Sequence, residues 1–177
     1  MSTPAREDEE GFGRIYAEHY PAVYRTVRAI VGDADAEDVA QDAFVSAYRS
    51  FHRYDPARPM GAWLHRIAVN KAISLLRRQR LGNLVGLRLV REPVSDPADA
   101  SLAGVTVRAV LASLPVDQRT VVVLRYYHDY SYRDIAYVLS IPEGTVGSRL
   151  TLALRRLRRL LGEENAPLAR MNSEEAP

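Results

Sequence analysis

The sequence predicts an all-α protein: two small helical domains joined by a linker, the second containing a helix-turn-helix. Three observations lead there. Apolar residues return every three or four positions through most of the chain, which is the repeat of one helix face turned towards a core. The repeat lapses over residues 81–102, where Gly82, Gly86, Pro93 and Pro97 gather with several acids. Residues 130–161 then read as a short capped helix, a tight turn and a longer basic helix. The resulting organisation is a polar tail (1–10), a first domain (11–81), the linker (82–102), the helix-turn-helix domain (103–162) and a second polar tail (163–177). Both tails are expected to be disordered, because they carry too little apolar surface to offset the entropy of ordering.

The first helical pattern turns Phe12, Ile15, Tyr16, His19, Tyr20, Val23, Val27, Ile30 and Val31 inward. Pro21 lies inside it and predicts a kink or a break, since proline lacks the N–H that the helix ladder needs. Gly32 and Asp33 end the segment. The second helix spans about 34–50, with Asp35, Glu37 and Asp38 near its N-terminus, where the helix dipole favours negative charge. Its inner face is Val39, Ala43, Phe44, Ala47, Tyr48 and Phe51; Asp35, Glu37, Asp38, Gln41, Asp42 and Ser46 stay outside. A calcium loop beginning at Asp33 fails twice: Asp38 stands where a glycine is needed, and Phe44 where a bidentate glutamate is needed. Taken alone, this acidic run is a solvated face.

Residues 52–60 hold two prolines and no period, so they form a loop. A third helix follows over about 61–80, with Trp63, Leu64, Ile67, Ala68, Ala72, Leu75 and Leu76 as its apolar stripe. Arg66, Asn70, Lys71, Ser74, Arg77 and Arg78 make its polar side. Tryptophan beside such a face suits a single nucleic-acid strand, because aromatics stack on bases and cations follow phosphates. Trp63 as a plain core residue fits the same spacing equally well. Beyond the linker, a short helix over 105–114 turns Val107, Val110, Leu111 and Leu114 inward. Pro115 and Asp117 open the next one, which carries Val121, Val122 and Leu124.

The helix-turn-helix has its own local chemistry. Ser131 with Asp134 three residues on is a capping box, so a helix starts there. Its apolar face is Ile135, Ala136, Val138 and Leu139. Pro142 stops it, by pushing Ile141 out of helical conformation, and suits the first turn of the next helix. There Val146, Leu150, Leu154, Leu157 and Leu161 form one buried stripe, and Gly162 is the stop. In this motif the second helix enters the major groove by its N-terminal end. Thr145, Ser148, Arg149 and either Thr151 or Leu152 lie where base-edge and phosphate contacts are made. Arg155, Arg156, Arg158 and Arg159 are too far along for bases and would meet phosphate or a protein. A lone basic amphipathic helix is more often a solvated face; the capped helix and proline-started turn ahead of it favour DNA.

Charge is distributed unevenly although the net is only +2 over 177 residues. Arginines crowd residues 77–91 and 149–159, while acids crowd 7–10, 33–42 and the C-terminus. Two anion-facing surfaces follow, and nucleic acid is the usual anion. The absence of cysteine excludes disulfides and thiolate metal sites, and the four histidines (His19, His52, His65, His128) have no metal-ligand spacing. No nucleophile–base pair and no phosphate-binding glycine loop is present, so no enzyme activity, cofactor or small-molecule substrate is expected. No apolar run is long enough to insert in a membrane and no signal-peptide pattern begins the chain, so a cytoplasmic protein is expected.

Two distant segments agree on a family. DAEDVAQDAFVSAYRSFHRYDP (35–56) followed by WLHRIAVNKAISLLRR (63–78) resembles the second region of bacterial sigma factors. LPVDQRTVVVLRYYHDYSYRDIAYVLSIPEGTVGSRL (114–150) resembles the fourth. Both in this order, over about residues 12–161, resemble the extracytoplasmic-function (group four) type of the sigma-70 family. The resemblance implies a subunit that binds core RNA polymerase, recognises −35 and −10 promoter elements and promotes DNA melting. It implies that Asp35, Glu37, Asp38, Gln41, Asp42 and Phe44 dock on polymerase. It assigns the −10 element and the melted strand to Tyr54, Asp55, Arg58, Met60, Trp63, Arg66, Asn70, Lys71 and Arg77. It assigns the −35 element to Glu143, Thr145, Ser148, Arg149, Thr151, Leu152, Arg155 and Arg156. An anti-sigma factor is the further implied partner, beside polymerase and promoter DNA. The family's usual turn has glycine where Ser140 stands, and a basic residue is common at Gly147. The competing readings are a stand-alone helix-turn-helix regulator, a small nucleic-acid-processing enzyme, and a sigma-like antagonist that binds polymerase without starting transcription.

Overall fold

The computed structural model describes residues 4–84 and 102–161, and every regular element among them is helical. The first domain holds α1 (Pro4–Val31), α2 (Asp33–Ser50), a 3₁₀ turn at Phe51–Arg53 and α3 (Met60–Leu84). The second holds α4 (Leu102–Ala112), α5 (Val116–His128), α6 (Tyr132–Leu139) and α7 (Glu143–Leu161). Most of the expected linker, the C-terminal tail and Gly162 lie outside the described residues.

In the first domain α1, α2 and α3 pack mutually. The buried stripe of α2 is Ala36, Val39, Ala40, Ala43, Phe44 and Ala47; four alanines at helical spacing let its axis lie close to its neighbours. An aromatic cluster fills the wider end. Phe44 meets Tyr16 edge-on at 4.8 Å, Phe12 meets Phe51 at 5.6 Å, and Trp63 meets Tyr54 at 5.2 Å. The first two are edge-to-face pairs, which add to the area term by placing ring edges on ring faces. Between α1 and α2 only Gly32 intervenes, at φ 88°, a backbone region where a Cβ is strained.

Several expectations are corrected. α1 begins at Pro4, inside the stretch read as a disordered tail, and runs through Pro21 without a break. Pro21 and Ala17 are both exposed, so the Ala17 carbonyl that loses its helical donor can turn to water. Tyr48 is 46% exposed rather than inward, with its ring at 68° to that of Phe12, 5.1 Å away. Val107 is 49% exposed rather than inward, although it lies one turn before the buried Leu111 on the same face.

The second domain follows its capping signals closely. Ser131 Oγ accepts the Asp134 N–H at 3.1 Å, and the Asp134 carboxylate accepts the Ser131 N–H at 3.3 Å. At the other end of α6, Ser140 is left-handed (φ 54°, ψ 46°), which lets the Ile141 N–H return to the Ala136 carbonyl at 3.1 Å. Ile135, Val138, Val146, Leu150, Ala153, Leu154 and Leu157 close the core between α6, α7 and α5.

The two domains are packed against one another, α6 on α3 and α5 on α1. Arg119 of α5 donates to the carbonyls of Ile30 (2.8 Å), Ala112 (2.7 Å) and Leu114 (3.1 Å). Asp33, at the start of α2, takes Arg28 at 3.0 Å and Arg108 of α4 at 3.4 Å. Deeper in the seam Thr26, His65, His128 and Tyr130 form one hydrogen-bonded cluster.

Two stability outcomes are expected. Replacing Ser140 with glycine relieves the left-handed strain and should raise stability by about 0.5–1 kcal/mol in urea unfolding. Arg119→Met leaves three helix-end carbonyls without their charged donor and should cost on the order of 3 kcal/mol. An unchanged urea midpoint for either would show that the turn or the guanidinium contributes nothing.

Candidate nucleic-acid interface

The turn of the helix-turn-helix is short because Pro142 caps it: its carbonyl accepts the N–H groups of Thr145 (2.9 Å) and Val146 (3.2 Å). With Val146 and Leu150 fixed inward, the outer face of α7 is set by helical geometry. Glu143, Ser148, Thr151, Leu152, Arg155 and Arg156 are exposed there, and Thr145 and Arg149 half-buried. Thr145 to Arg156 spans about 16 Å along the axis. The first turns can therefore reach base edges while the later arginines lie over backbone phosphates.

Several of these side chains are already held. Arg149 Nε lies 3.5 Å from Asp117 Oδ2, and Arg156 donates to Gln118 Oε1 at 3.1 Å, both on α5. The hydroxyls of Ser148 and Thr151 donate to the carbonyls of Thr145 (3.0 Å) and Gly147 (2.9 Å) on their own helix. Gly147 has no tight neighbour: a Cβ there would meet only the Tyr132 ring, at an ordinary 3.5 Å. Glycine at this position is therefore not required by packing.

In the first domain the loop and α3 bring part of the expected set together. Tyr54 donates its hydroxyl to the Arg58 carbonyl at 2.6 Å, and Asp55 Oδ1 accepts the Ala57 N–H at 3.0 Å, an Asx turn that shapes the loop. Asn70 and Arg77 are exposed on α3, Met60 is half-buried, and Lys71 Nζ stands 3.9 Å from Asp42 Oδ2. Trp63 is a core residue, 8% exposed, so the stacking role open to it by composition is not available to its ring here. Arg58 and Arg66 do not face solvent freely. Both guanidinium groups lie over the Tyr137 ring of α6, at 4.6 and 4.8 Å, and Arg66 also donates to the Tyr137 carbonyl at 3.2 Å.

On α2, Glu37, Asp38, Gln41 and Asp42 form an exposed ridge, and Asp35 accepts from Gln79 at 3.0 Å. Phe44 is 3% exposed, which corrects the expectation that it touches a partner: it supports the ridge from below. The sequence reading missed that Val45 (47% exposed), Tyr48 and Tyr16 border this ridge with apolar surface. The signal was available for Val45, which falls out of phase with the buried alanines. Tyr137 and the seam histidines were also missed, and no local pattern brings residues so distant in sequence together.

Residues 15–81 match the family model for sigma-70 region 2, and residues 105–157 that for sigma-70 region 4. The chain is 39% identical over 162 residues to the ECF RNA polymerase sigma factor SigM of Mycobacterium tuberculosis, covering 89% of this chain and 81% of the relative. It is 31% identical over 169 residues to the ECF RNA polymerase sigma factor SigW of Bacillus subtilis, covering 87% and 90%. Its fold matches the sigma factor RpoE of Bartonella quintana, solved in complex with the anti-sigma factor NepR, with TM-score 0.76 and 26% identity over 86% of this chain and 97% of that one. A region 2 and a region 4 in one all-helical chain, with relatives that match along most of their length, show that the protein belongs to the sigma-70 family as an RNA polymerase sigma factor of the extracytoplasmic-function type.

Proposed function

We propose that the chain directs core RNA polymerase to two-part promoters, with the residue roles divided between its domains as follows. Glu37, Asp38, Gln41 and Asp42, bordered by Tyr16, Val45 and Tyr48, dock on polymerase. The loop 54–60 with Arg66, Asn70, Lys71 and Arg77 takes the −10 element and the melted strand. Thr145, Ser148, Arg149, Thr151 and Leu152 read the −35 element, and Arg155 and Arg156 hold its phosphates. The linker 82–102 sets the reach between the two. The observation that carries this reading is the segregation of charge: the acidic ridge of α2 and the basic outer face of α7 lie on different domains. Melting needs no catalysis by the protein, because holding an unstacked base in a pocket offsets its unstacking cost of about a few kcal/mol.

No helix among the described residues is long and apolar enough to cross a membrane. With a DNA-borne task this supports a cytoplasmic site of action. The likeness to RpoE, solved in complex with NepR, supports an anti-sigma factor as a further partner.

Reconstituted transcription tests the whole reading: the purified chain with core polymerase on a genomic DNA pool should yield starts that share two upstream motifs. Polymerase binding without specific starts would replace it with an antagonist role. Arg149→Ala should weaken promoter binding by about 1–3 kcal/mol while leaving polymerase binding intact. Asp38→Arg should do the reverse, and loss of both activities in either variant would end the division of roles. Gly147→Lys adds a cation where a side chain fits, so it should tighten −35 binding and steepen its salt dependence by about one counterion. A salt slope equal to that of the parent would place residue 147 off the phosphate path.

A further inference from the structure

We propose that the seam between the two domains is a built-in latch released by acid: at neutral pH it holds α6 over α3, and protonation of the His65–His128 pair lets the domains part. Its consequence for promoter binding rests on the −10 role given above to Arg58 and Arg66, since those two groups are the ones that α6 covers.

The geometry is that of a closed circuit of neutral groups. His65, on α3, is 2% exposed, and Thr26, on α1, is fully buried. His65 Nδ1 lies 2.8 Å from the Gly61 carbonyl and 2.9 Å from the Tyr130 hydroxyl; its Nε2 lies 3.0 Å from Thr26 Oγ1. Thr26 Oγ1 in turn lies 2.6 Å from His128 Nε2, at the end of α5. One proton order serves the circuit: His128 Nε2–H donates to Thr26, Thr26 donates to His65 Nε2 rather than to the Ala22 carbonyl 3.1 Å away, and His65 Nδ1–H is shared between the Gly61 carbonyl and the Tyr130 hydroxyl oxygen. The two imidazole rings are 4.3 Å apart, centre to centre. A proton added to His65 occupies the lone pair that Thr26 donates to, and it places a positive charge in a buried site beside a second imidazole.

The surrounding charges do not rescue that cation. From α1 come His19 and Arg25, the former beside Glu18; from α5 comes Arg125, whose guanidinium donates to the Tyr130 carbonyl; from the turn after α5 comes Asp129, and from α6 Asp134. Burial, then the neighbouring His128, hold His65 down to about 4. Burial, then Arg25, lower His128 against the opposite pull of Asp129. Burial pushes the Tyr130 hydroxyl up to about 12, so it stays a neutral hydrogen-bonding group. Both histidines are depressed in the closed state, so closure is at full strength above an ordinary histidine value of about 6.5 and is lost as pH falls from there towards about 4. Between about pH 7.5 and 5.5 His65 alone raises the open-to-closed ratio about tenfold.

The close approach has a second requirement. A Cβ on Gly61 would stand 3.0 Å from the Tyr130 hydroxyl, so a side chain there asks the Tyr130 ring to give by a few tenths of an ångström.

The native chain has no cysteine, so a pair introduced at the exposed Arg49 and Leu160 can carry dyes, one on each domain. Single-molecule energy transfer in the free protein should show a closed population at about pH 7.5 and an open-to-closed ratio about tenfold higher at about pH 5.5. His65→Gln/His128→Gln should lose the pH response with helical circular dichroism preserved. A ratio that ignores pH, or a double variant that responds like the parent, would overturn the latch. Proton NMR keeps the question open to refutation should the double variant not fold: parent His65 and His128 ring signals titrating near 6.5 would also overturn it. The readout is domain separation, so it is independent of the promoter assays that test the residue roles.

Discussion

Much of the arrangement depends on one guanidinium. A helix ends with carbonyls that have no donor within the helix, and at the C-terminal end they carry the negative end of the helix dipole. Arg119 gathers the end of α1 through Ile30 and the end of α4 through Ala112 and Leu114. Three charge-assisted hydrogen bonds from one planar group fix where α4 stops, how α5 starts after Pro115, and where both sit on α1. The cost is visible in the same residue: burial depresses its pKa, and its Nε is buried with no partner among the described residues. A lysine could not span the three acceptors, because it offers a point charge rather than a fork.

The helices and the motif were legible in the sequence because their causes are local. A capping box, a proline after a short apolar face, and alanines at helical spacing act through neighbours three or four residues away. At Ser140 the family's usual residue is glycine, and serine takes the left-handed conformation (φ 54°) where the chain reverses. Pro21 shows where such local reasoning stops. The missing hydrogen bond was foreseen, but whether the helix breaks depends on whether water can reach the freed carbonyl, and that is set by the packing of the rest of α1.

The candidate site was legible in its outward face and illegible in its partners. Periodicity placed Ser148, Thr151 and Arg155 on the solvent side of α7 and Phe44 and Trp63 on inner faces; the family resemblance counted those two among binding residues, and the structure makes them core. The aromatic cluster decides both cases, since Phe12, Tyr16 and Phe51 come from elsewhere in the chain to cover them. The same limit hid the pairing of Arg66 with Tyr137, 71 residues away, and of His65 with Thr26, 39 away.

Those partners bear on how strongly the chain can bind DNA by itself. Phosphate contacts supply most of the affinity of a DNA-binding protein, and each needs a cation free to displace a counterion. Here Arg149 faces Asp117, Arg156 holds Gln118, Lys71 stands by Asp42, and Arg58 and Arg66 lie on Tyr137. The net charge of only +2 adds little long-range attraction. On the roles proposed above, a promoter must exchange these internal contacts for its own, at a cost that docking on polymerase can offset if it separates the domains. Selectivity for the holoenzyme over the free subunit then needs no extra domain. It follows from giving the cations used for DNA an internal partner in the closed chain.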